Sequence, residues 1–437
     1  MKFYSTNNKN LKVSLKEAVL TGMPADKGLF MPEIINKLED KFFQNLSGLS
    51  FQEMSKIIAQ NIIDDIDEKI MDAIIDEAIN FDAPLVPITE KISTLELFHG
   101  PTLAFKDFGA RFMSRLMACY MKDSKQKLNI IVATSGDTGS AVANGFLGVP
   151  NINVLVLYPS GKVSKLQEKQ IATLGENITA LEVAGTFDDC QKMVKASLLD
   201  KDILANLKIT SANSINISRL IPQIFYFFQM VAQLNNRADD KIAVCVPSGN
   251  FGNLTAGLIS KKMGLPIAQF IAATNINDVV PEYLKSAIFT PRPSVTTISN
   301  AMDVGNPSNF ARILDLYHHD YATLSHEIKG YAFRDSQTRE KMKEVYTESG
   351  YICDPHGAVG CLGLETFLQK NPEYKQGIFL ETAHPAKFKE IVDATIGKDV
   401  PIPDRLTRFM DRDILSVKIS TEFQQLKDLM LGSETYR

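Results

Sequence analysis

Residues 241–253 read KIAVCVPSGNFGN, a short apolar run that passes into a loop of serine, glycine and asparagine. An uninterrupted apolar run of this length is typical of a strand that is buried on both faces of a parallel sheet. The residues that follow, NLTAGLISKKMG (253–264), carry a helical pattern. The stretch therefore predicts a strand, a glycine-rich loop and the N-terminus of a helix in direct succession.

The same alternation of apolar runs and helical patterns extends over most of the chain from about residue 127. Further predicted strands are LNIIVAT (128–134), INVLVLYP (152–159), ITALEVA (178–184), IAQFIAA (267–273) and GIFLETA (377–383). Helical patterns, such as SKLQEKQIATLG (164–175), separate them. Strands that alternate with helices indicate an α/β fold, and their number predicts two open, twisted, mostly parallel sheets flanked by helices.

Three consecutive parts of the chain differ in pattern. Residues 1–95 are predicted to form a mainly helical N-terminal segment, because LSFQEMSKIIAQNII (49–63) and EKIMDAIIDEAINF (68–81) place apolar residues at helical spacing. Residues 96–210 are expected to form a smaller α/β domain, and residues 211–437 a larger one. No obvious linker marks these boundaries, so the chain is free to pass between the two α/β domains more than once.

The composition excludes several classes of function. The chain has 437 residues, a formal net charge of −4 and no basic block, which argues against nucleic-acid binding. No apolar run approaches the roughly 20 residues that span a bilayer, and the N-terminus lacks the pattern of a signal peptide. The five cysteines form no CxxC pair, and no cysteine or histidine group has the spacing of a metal site. We therefore expect a cytoplasmic protein with reduced thiols, no metal, and neither a membrane nor a nucleic-acid partner.

A lysine occupies an unusual place in HGPTLAFKDFGARF (99–112), which predicts a largely buried helix capped by Thr102. Lys106 falls in the first turn, where the helix dipole disfavours a positive charge and burial is costly. Both effects lower the pKa of a lysine and make its amine a nucleophile toward a carbonyl carbon.

The residues around this lysine allow two interpretations. Gly109 and Ala110 lie on the lysine's face of the predicted helix and leave open space beside it, which suits a bound group. The alternative is a lysine that extends to solvent or forms an ion pair with Asp107, and spacing alone favours this alternative.

Two strand-to-helix loops offer binding groups at the carboxyl ends of strands, where ligands of open α/β sheets bind. In VPSGNFGN (246–253), glycines and a helix N-terminus suit a phosphate, although a plain tight turn explains the loop equally well. In ATSGDTGSA (133–141), Ser135 and Thr138 supply hydroxyls, while Asp137 taken alone is best explained as a helix N-cap.

Three further stretches carry polar residues of interest. SANSINISR (211–219) ends in Arg219, which either clamps an anion or lies on the surface. DVGNPSN (303–309) is a loop that either lines a site or turns the chain, and LETAHPAKF (380–388) follows a strand with Thr382 and with His384, a histidine more often structural than catalytic. A buried lysine and a phosphate cradle without metal spacing suggest a cofactor that carries both an aldehyde and a phosphate, namely pyridoxal phosphate.

These motifs together resemble the threonine synthase family, in its longer bacterial and fungal branch. The matching stretches, in the family's order, are GMPADKGLFMPE (22–33), FHGPTLAFKDFGARF (98–112), TSGDTGSA (134–141), SANSIN-SR (211–219), VPSGNFGN (246–253), DVGNPSN (303–309) and ETAHPAKF (381–388). The resemblance runs from about residue 5 to about residue 400. It implies the pyridoxal-phosphate fold type II, and the conversion of O-phospho-L-homoserine and water to L-threonine and phosphate.

The resemblance also implies roles for individual residues. Lys106 would form the Schiff base with the cofactor and act as the base, and Thr382 would hydrogen-bond the pyridine nitrogen. The phosphate of the cofactor would be held by Gly249, Asn250, Phe251, Gly252 and Asn253. Ser135 and Thr138 would lie near the substrate carboxylate, with Asn213 and Arg219 as candidates for the substrate phosphate. Asp137 stands where many fold type II enzymes have asparagine beside the ring oxygen.

Two alternatives share the lysine and the glycine-rich loop. One is another fold type II enzyme, such as a threonine or serine dehydratase, which would yield a keto acid and ammonia. The other is a noncatalytic protein, similar to threonine synthases, that binds phosphorylated metabolites. In each case a small molecule is the expected ligand, and the expected assembly is a monomer or a weak homodimer.

Overall fold

The computed structural model describes residues 1–234 and 241–436. In chain order these residues form β1 (Phe3–Ser5), β2 (Asn8–Val13), α1 (Leu15–Thr21), β3 (Phe30–Pro32), α2 (Asp40–Asn45), α3 (Phe51–Ile62), α4 (Glu68–Ala78), β4 (Leu85–Pro87) and β5 (Ile92–Glu96). They continue with α5 (Lys106–Met121), β6 (Leu128–Ala133), α6 (Asp137–Phe146), β7 (Ile152–Pro159), α7 (Lys165–Ala172), β8 (Ile178–Val183), α8 (Phe187–Ser197), α9 (Lys201–Asn206), β9 (Lys208–Ser211) and α10 (Ile217–Ala232). After residue 240 come β10 (Ile242–Pro247), α11 (Gly252–Lys262), β11 (Gln269–Thr274), α12 (Val279–Ser286), α13 (Phe310–Leu316), α14 (Tyr321–Glu327), β12 (Ile328–Ala332), α15 (Asp335–Ser349), α16 (Pro355–Lys370), β13 (Gln376–Glu381), α17 (Lys389–Ile396), α18 (Asp404–Thr407), β14 (Val417–Ile419) and α19 (Phe423–Gly432).

Two large sheets confirm the predicted α/β fold. One has six strands in the order β12-β11-β10-β13-β5-β4, all parallel except β4, which runs antiparallel to β5. The other has five parallel strands in the order β14-β8-β7-β6-β9. The strand β10, from the stretch KIAVCVP, lies near the centre of the larger sheet, with Val244 opposite Phe270 and Ile378. Helices cover the sheets, as buried parallel strands require.

The N-terminal part contains the predicted helices and also a small sheet that the sequence pattern does not reveal. Strands β2, β1 and β3 form one three-stranded antiparallel sheet, and two of the strands, β1 and β3, are only three residues long. Strands this short show no measurable alternation of apolar and polar residues. The helices α3 and α4 occupy the stretches whose spacing predicts them.

Each large sheet draws strands from separate parts of the chain. Strand β14, near the end of the chain, pairs with β8 in the five-stranded sheet, and β5, which precedes the helix α5, pairs with β13 in the six-stranded sheet. The chain thus passes between the sheets more than once. The division into residues 1–95, 96–210 and 211–437 stays a prediction.

The helix α10 is the centre of the core. Nearly all of its side chains are buried, and it packs against α3, α5 and α11. The phenylalanines of α5 face it: the ring of Phe108 lies 5.5 Å from that of Tyr226, and Phe112 lies 6.0 Å from Phe225. Burying each such side chain contributes about 2 kcal/mol to folding, so α5 is held firmly where it begins at Lys106. Within the described residues, no helix is long and apolar enough to cross a membrane, and all five cysteines are free.

Candidate active site

A cleft opens at the carboxyl ends of strands from both large sheets. The space within it is about 830 Å³, including space open to solvent. Every candidate residue from the sequence lines it: Lys106, Ser135, Thr138, Asn213, Arg219, Gly249, Asn250, Phe251, Gly252, Asn253 and Thr382. The fold therefore brings these residues together, while their individual roles stay predictions.

Lys106 is the first residue of α5, and its position corrects two expectations from the sequence. Thr102 does not cap the helix, because its N–H and its hydroxyl both donate to the carboxylate of Asp107, at 2.8 and 2.7 Å. Phe105 occupies the cap position and makes no side-chain cap bond. The carboxylate of Asp107 is thus turned to Thr102, and the proposed ion pair between Lys106 and Asp107 does not form.

Lys106 is half-buried, and its amine has no hydrogen bond or ion pair within the described residues. Burial lowers its pKa from the ordinary 10.5 to about 8; the Asp137 carboxylate opposes this shift, and Arg219 and Lys387 support it. A lysine with this pKa carries a far larger neutral fraction near pH 8 than an exposed lysine does. The amine is therefore available as a nucleophile and as a base.

Gly109 and Ala110 do not leave open space beside the lysine, as their spacing predicts, but allow close contacts with neighbouring residues. A Cβ at Gly109 would lie 2.7 Å from Nε of Arg219, so this glycine makes room for the arginine. A Cβ at Gly145 would lie 3.2 Å from the backbone of Ala110, so Ala110 faces α6. The expectation that Gly109 and Ala110 leave space for a cofactor ring is wrong, because both residues serve close packing of helices.

The loop after β10 presents a row of backbone donors. Phe251 adopts a left-handed conformation with φ of 61°, and α11 begins at the next residue with no side-chain cap. None of the backbone N–H groups of Gly249–Asn253 has an acceptor in the described part of the chain. Such a row of N–H groups at a helix N-terminus is an anion site.

Side chains and a neighbouring loop fix the shape of this cradle. The amide of Asn253 donates to the Pro247 carbonyl at 2.9 Å, and the Asn250 amide oxygen accepts from the N–H of Ser308 at 3.2 Å. A Cβ at Gly249 would lie 2.4 Å from the carbonyl oxygen of Ala301, so only glycine fits there. The loop thus holds its shape through side chains and leaves its backbone N–H groups for a ligand.

The loop after β6 corrects another expectation. Asp137 is not the cap of α6, since Gly136 takes that position, with a φ of 135° that favours glycine. The Asp137 carboxylate instead accepts hydrogen bonds from Lys387 at 2.8 Å and from Gln167 at 2.9 Å. Burial raises the pKa of Asp137, but the charges of Lys387 and Lys106 outweigh it and lower the pKa to about 2. A permanently ionised carboxylate therefore lies close to the Lys106 amine.

Arg219 and Asn213 differ in how far their polar atoms are already used. Arg219 is buried rather than on the surface; its Nη1 donates to the Ala212 carbonyl at 2.7 Å, and its Nε has no partner within the described residues. Burial lowers its pKa to about 10, so it remains charged at neutral pH. Asn213, by contrast, already uses its side-chain amide: its oxygen accepts from the N–H of Ala133, and its nitrogen donates to the Ala133 carbonyl. An under-satisfied buried guanidinium favours an anionic ligand.

The segment after β13 closes the cleft. The Thr382 carbonyl accepts from the N–H of Phe105 at 2.9 Å, and the Thr382 side chain lines the cleft. The His384 imidazole caps the short 3₁₀ helix Pro385–Phe388 by accepting from the N–H of Ala386 at 3.1 Å. Burial lowers the pKa of His384 to about 4, so the ring is neutral and has a structural contact.

Some residues at the cleft carry no signal in the sequence. His356 lines it and accepts the N–H of Ala301 on Nε2 at 3.2 Å, while its Nδ1 faces Asp354. Because Asp-Pro-His opens a helix in the ordinary way, with Asp354 as cap, its pattern indicates only a helix start. The sequence pattern does not single out Lys387 and Gln167 either, because they meet Asp137 only in the folded chain.

The residues present fit pyridoxal phosphate. Within the described residues, the cleft joins an amine that makes no hydrogen bond or ion pair, and can bond to an aldehyde, to a cradle of N–H groups that have no acceptor, and can bind a phosphate. The contact between Gly249 and Ala301 leaves no room for a side chain at the cradle. The sheets, the lysine at a helix start and this cradle define a pyridoxal-phosphate-dependent enzyme of fold type II.

The comparisons with known proteins specify the family. The family model of pyridoxal-phosphate-dependent enzymes matches residues 92–380, and the models of the threonine synthase N terminus and C-terminal region match residues 2–79 and 357–430. The chain belongs to the threonine synthase family, and its cofactor is pyridoxal 5′-phosphate. The last match extends the resemblance beyond residue 400, where the sequence motifs end.

Relatives and solved structures cover the whole length. Threonine synthase from Haemophilus influenzae is 44% identical over 99% of this chain and 100% of its own length. The crystal structure of threonine synthase from Escherichia coli superposes with a TM-score of 0.93 at 42% identity, covering 99% and 100% of the two chains. Pyridoxal-phosphate-bound threonine synthase from Brucella melitensis gives a TM-score of 0.90 at 31% identity, with 98% of each chain covered. These relatives favour a threonine synthase over a dehydratase or a noncatalytic protein.

Proposed function

We propose that this enzyme converts O-phospho-L-homoserine and water to L-threonine and phosphate by β,γ-elimination and replacement. The observation that carries the proposal is the Lys106 amine, which makes no hydrogen bond or ion pair within the described residues and shares one cleft with the N–H cradle of Gly249–Asn253 and the buried Arg219. This combination provides a covalent anchor for the cofactor, a phosphate site for it, and a second cationic group for an anionic substrate.

Three parts of the site hold the cofactor. The N–H groups of Gly249–Asn253 would bind its phosphate, the Lys106 amine would bond to its aldehyde, and the Thr382 hydroxyl would contact the ring nitrogen. A hydroxyl there, in place of a carboxylate, would leave that nitrogen largely unprotonated. When bound, the cofactor supplies an electron-withdrawing ring that stabilises negative charge at substrate carbons.

Lys106 carries the protons. The substrate amine would displace it, and the freed amine would remove the proton from Cα of the substrate and pass it to the cofactor. The amine, neutral again, would then remove a proton from Cβ while phosphate leaves from Cγ. Protons returned to Cγ and Cα, with water added at Cβ, would complete L-threonine. A base with a pKa near 8 both accepts and returns protons near neutral pH, as this sequence requires.

The remaining polar groups orient the substrate. The Ser135 and Thr138 hydroxyls, which make no hydrogen bond within the described residues, bind its carboxylate. Arg219 binds its phosphate; Asn213 is the second candidate, although its amide already bonds to the backbone of Ala133. Closure of the two sheets over the substrate keeps water out until phosphate has left.

Products distinguish this function from its alternatives. Purified enzyme with pyridoxal phosphate is expected to release phosphate and L-threonine in equal amounts from O-phospho-L-homoserine. Ammonia with a keto acid would indicate a dehydratase, and a bound cofactor without turnover would indicate a noncatalytic protein. We also propose a cytoplasmic enzyme that is a monomer or a weak homodimer and has no nucleic-acid partner, which sedimentation of the pure protein tests in part.

A further inference from the structure

A buried ion pair joins the two large sheets behind the reactive lysine. The Lys387 ammonium lies 2.8 Å from the Asp137 carboxylate, and the two side chains are 0% and 5% exposed. Lys387 lies in the 3₁₀ helix that follows β13 of the six-stranded sheet, and Asp137 opens the helix that follows β6 of the five-stranded sheet. The same ammonium donates to the Thr102 carbonyl at 2.8 Å, in the loop that leads to Lys106.

Stability alone is a weak reason for such a pair. Removing two charges from water costs about as much as their attraction returns, and well-packed apolar side chains often do as well. Three charged groups act on the Lys106 amine: the Asp137 carboxylate, the Arg219 guanidinium and the Lys387 ammonium. Without Lys387, Lys106 would be the remaining described lysine whose charge interacts with Asp137, and the carboxylate would favour the charged form of the Lys106 amine.

We propose that Lys387 is a positioning residue that neutralises the Asp137 carboxylate and thereby leaves the Lys106 amine without a carboxylate partner. An amide at position 137 would need no counter-charge, whereas the aspartate found here requires a buried cation. Gln167 holds the same carboxylate through an uncharged hydrogen bond of 2.9 Å, so Lys387 is the lysine that balances its charge. The inference rests on the proposed role of Lys106 as the reactive amine.

The inference makes opposite predictions for the two partners. Lys387→Met leaves Asp137 unbalanced, which favours the ammonium form of Lys106, while Asp137→Asn removes the carboxylate and favours the neutral amine. A single nearby charge shifts the pKa of a lysine amine by about 1 pH unit or more. The double variant removes both charges and should return the Lys106 amine close to its native behaviour.

The experiment measures covalent uptake of pyridoxal phosphate by the full-length apoprotein, followed by absorbance between pH 6 and pH 10. Bond formation needs the neutral amine, so the midpoint of the rate profile reports its protonation. We expect the midpoint to rise by about 1 pH unit or more in Lys387→Met, to fall in Asp137→Asn, and to return to within about half a unit of native in the double variant.

Lys341→Met is the matched control, because Lys341 is also buried and paired with two glutamates, Glu344 and Glu365, but does not line the cleft. Its midpoint should equal the native one. An unshifted midpoint in Lys387→Met, or a double variant that fails to recover, would overturn the inference. If Lys387→Met does not fold, the midpoints of Asp137→Asn and of the double variant are compared instead. The midpoint of the double variant should be the higher of the two, and equal midpoints would overturn the inference. Uptake involves no substrate, so its shift is independent of whether O-phospho-L-homoserine is the substrate.

Discussion

The backbone N–H of Phe105 donates a 2.9 Å hydrogen bond to the carbonyl of Thr382. Ala104 and Ala383 form an antiparallel bridge beside it, and the N–H of His384 donates to the Leu103 carbonyl at 3.0 Å. The segment that leads into the lysine helix is therefore paired with the extension of β13. This pairing holds Lys106 and Thr382 in one cleft.

The predicted cofactor cradle should require glycine at position 249. We expect Gly249→Ala to weaken pyridoxal phosphate binding by about ten- to a hundredfold, because its Cβ would lie 2.4 Å from the Ala301 carbonyl oxygen and must displace the loop. Equilibrium titration of the apoprotein with the cofactor measures the loss. Gly48→Ala is the control, since no atom of another described residue lies within 4 Å of a Cβ there; equal affinities in both variants would argue against the cradle.

Arg219 is predicted to bind the substrate phosphate. Arg219→Met should lower kcat/KM for O-phospho-L-homoserine about thirtyfold, which corresponds to about 2 kcal/mol for a lost charged hydrogen bond. Competitive inhibition by inorganic phosphate should weaken in parallel, an effect that a purely structural role would not produce. Arg339→Met, which removes a partly buried hydrogen bond to Thr395 away from the cleft, is the control. Unchanged phosphate inhibition in Arg219→Met would contradict this role.

The lowered pKa of Lys106 has a consequence for stability. Between pH 8 and pH 10.5 the unfolded chain binds a proton at this lysine and the folded apoprotein does not, so folding stability rises with pH in this window. Below pH 8 both states bind the proton and the slope from this residue vanishes. Lys106→Met removes this titrating group. The free energy of unfolding of the variant minus that of the native apoprotein should therefore fall by about 3 kcal/mol from pH 7 to pH 10.5.

Urea unfolding of the two apoproteins at both pH values measures this difference. Other titrating groups cancel because the two proteins differ at one residue. A difference that does not change with pH would mean that the Lys106 amine keeps an ordinary pKa in the fold.

Arg312 links the N-terminal segment to the cleft. It is fully buried and donates to the carbonyls of Phe30, Ser214 and Ile215 and to the Asn309 side chain. Arg312→Met leaves these buried acceptors unpaired and should lower the free energy of unfolding by about 3 kcal/mol or more. Chemical denaturation measures it, with the exposed Arg408→Met as a control that should change little. A loss below about 1 kcal/mol would show that the acceptors find other partners.

The parts of the site that the sequence predicts are those encoded in contiguous residues. The stretch KIAVCVPSGNFGN specifies strand, loop and helix start by itself, and β10, the cradle and α11 follow it in that order. Continuous apolar runs also specify the parallel sheets, because strands buried on both faces need no polar alternation.

The parts that the sequence does not predict depend on long-range contacts. Asp137 has every local property of an N-cap, but Lys387, far along the chain, takes its carboxylate. Thr102 likewise has the local properties of a cap, but its hydroxyl donates to the carboxylate of Asp107 instead. The Arg219 side chain packs directly against Gly109, where a Cβ would collide with it. The sequence of the helix that contains Gly109 gives no indication of this contact. Local spacing cannot rank such competing partners.

Lys106 is the central claim, and Lys106→Ala tests it most directly. Phosphate and L-threonine released from O-phospho-L-homoserine are measured with native enzyme and with the variant, both saturated with pyridoxal phosphate. We predict equal amounts of the two products from the native enzyme and a loss of at least about a thousandfold in the variant, which lacks both the covalent anchor and the base. Release of phosphate at the native rate by the Lys106→Ala enzyme would contradict the account.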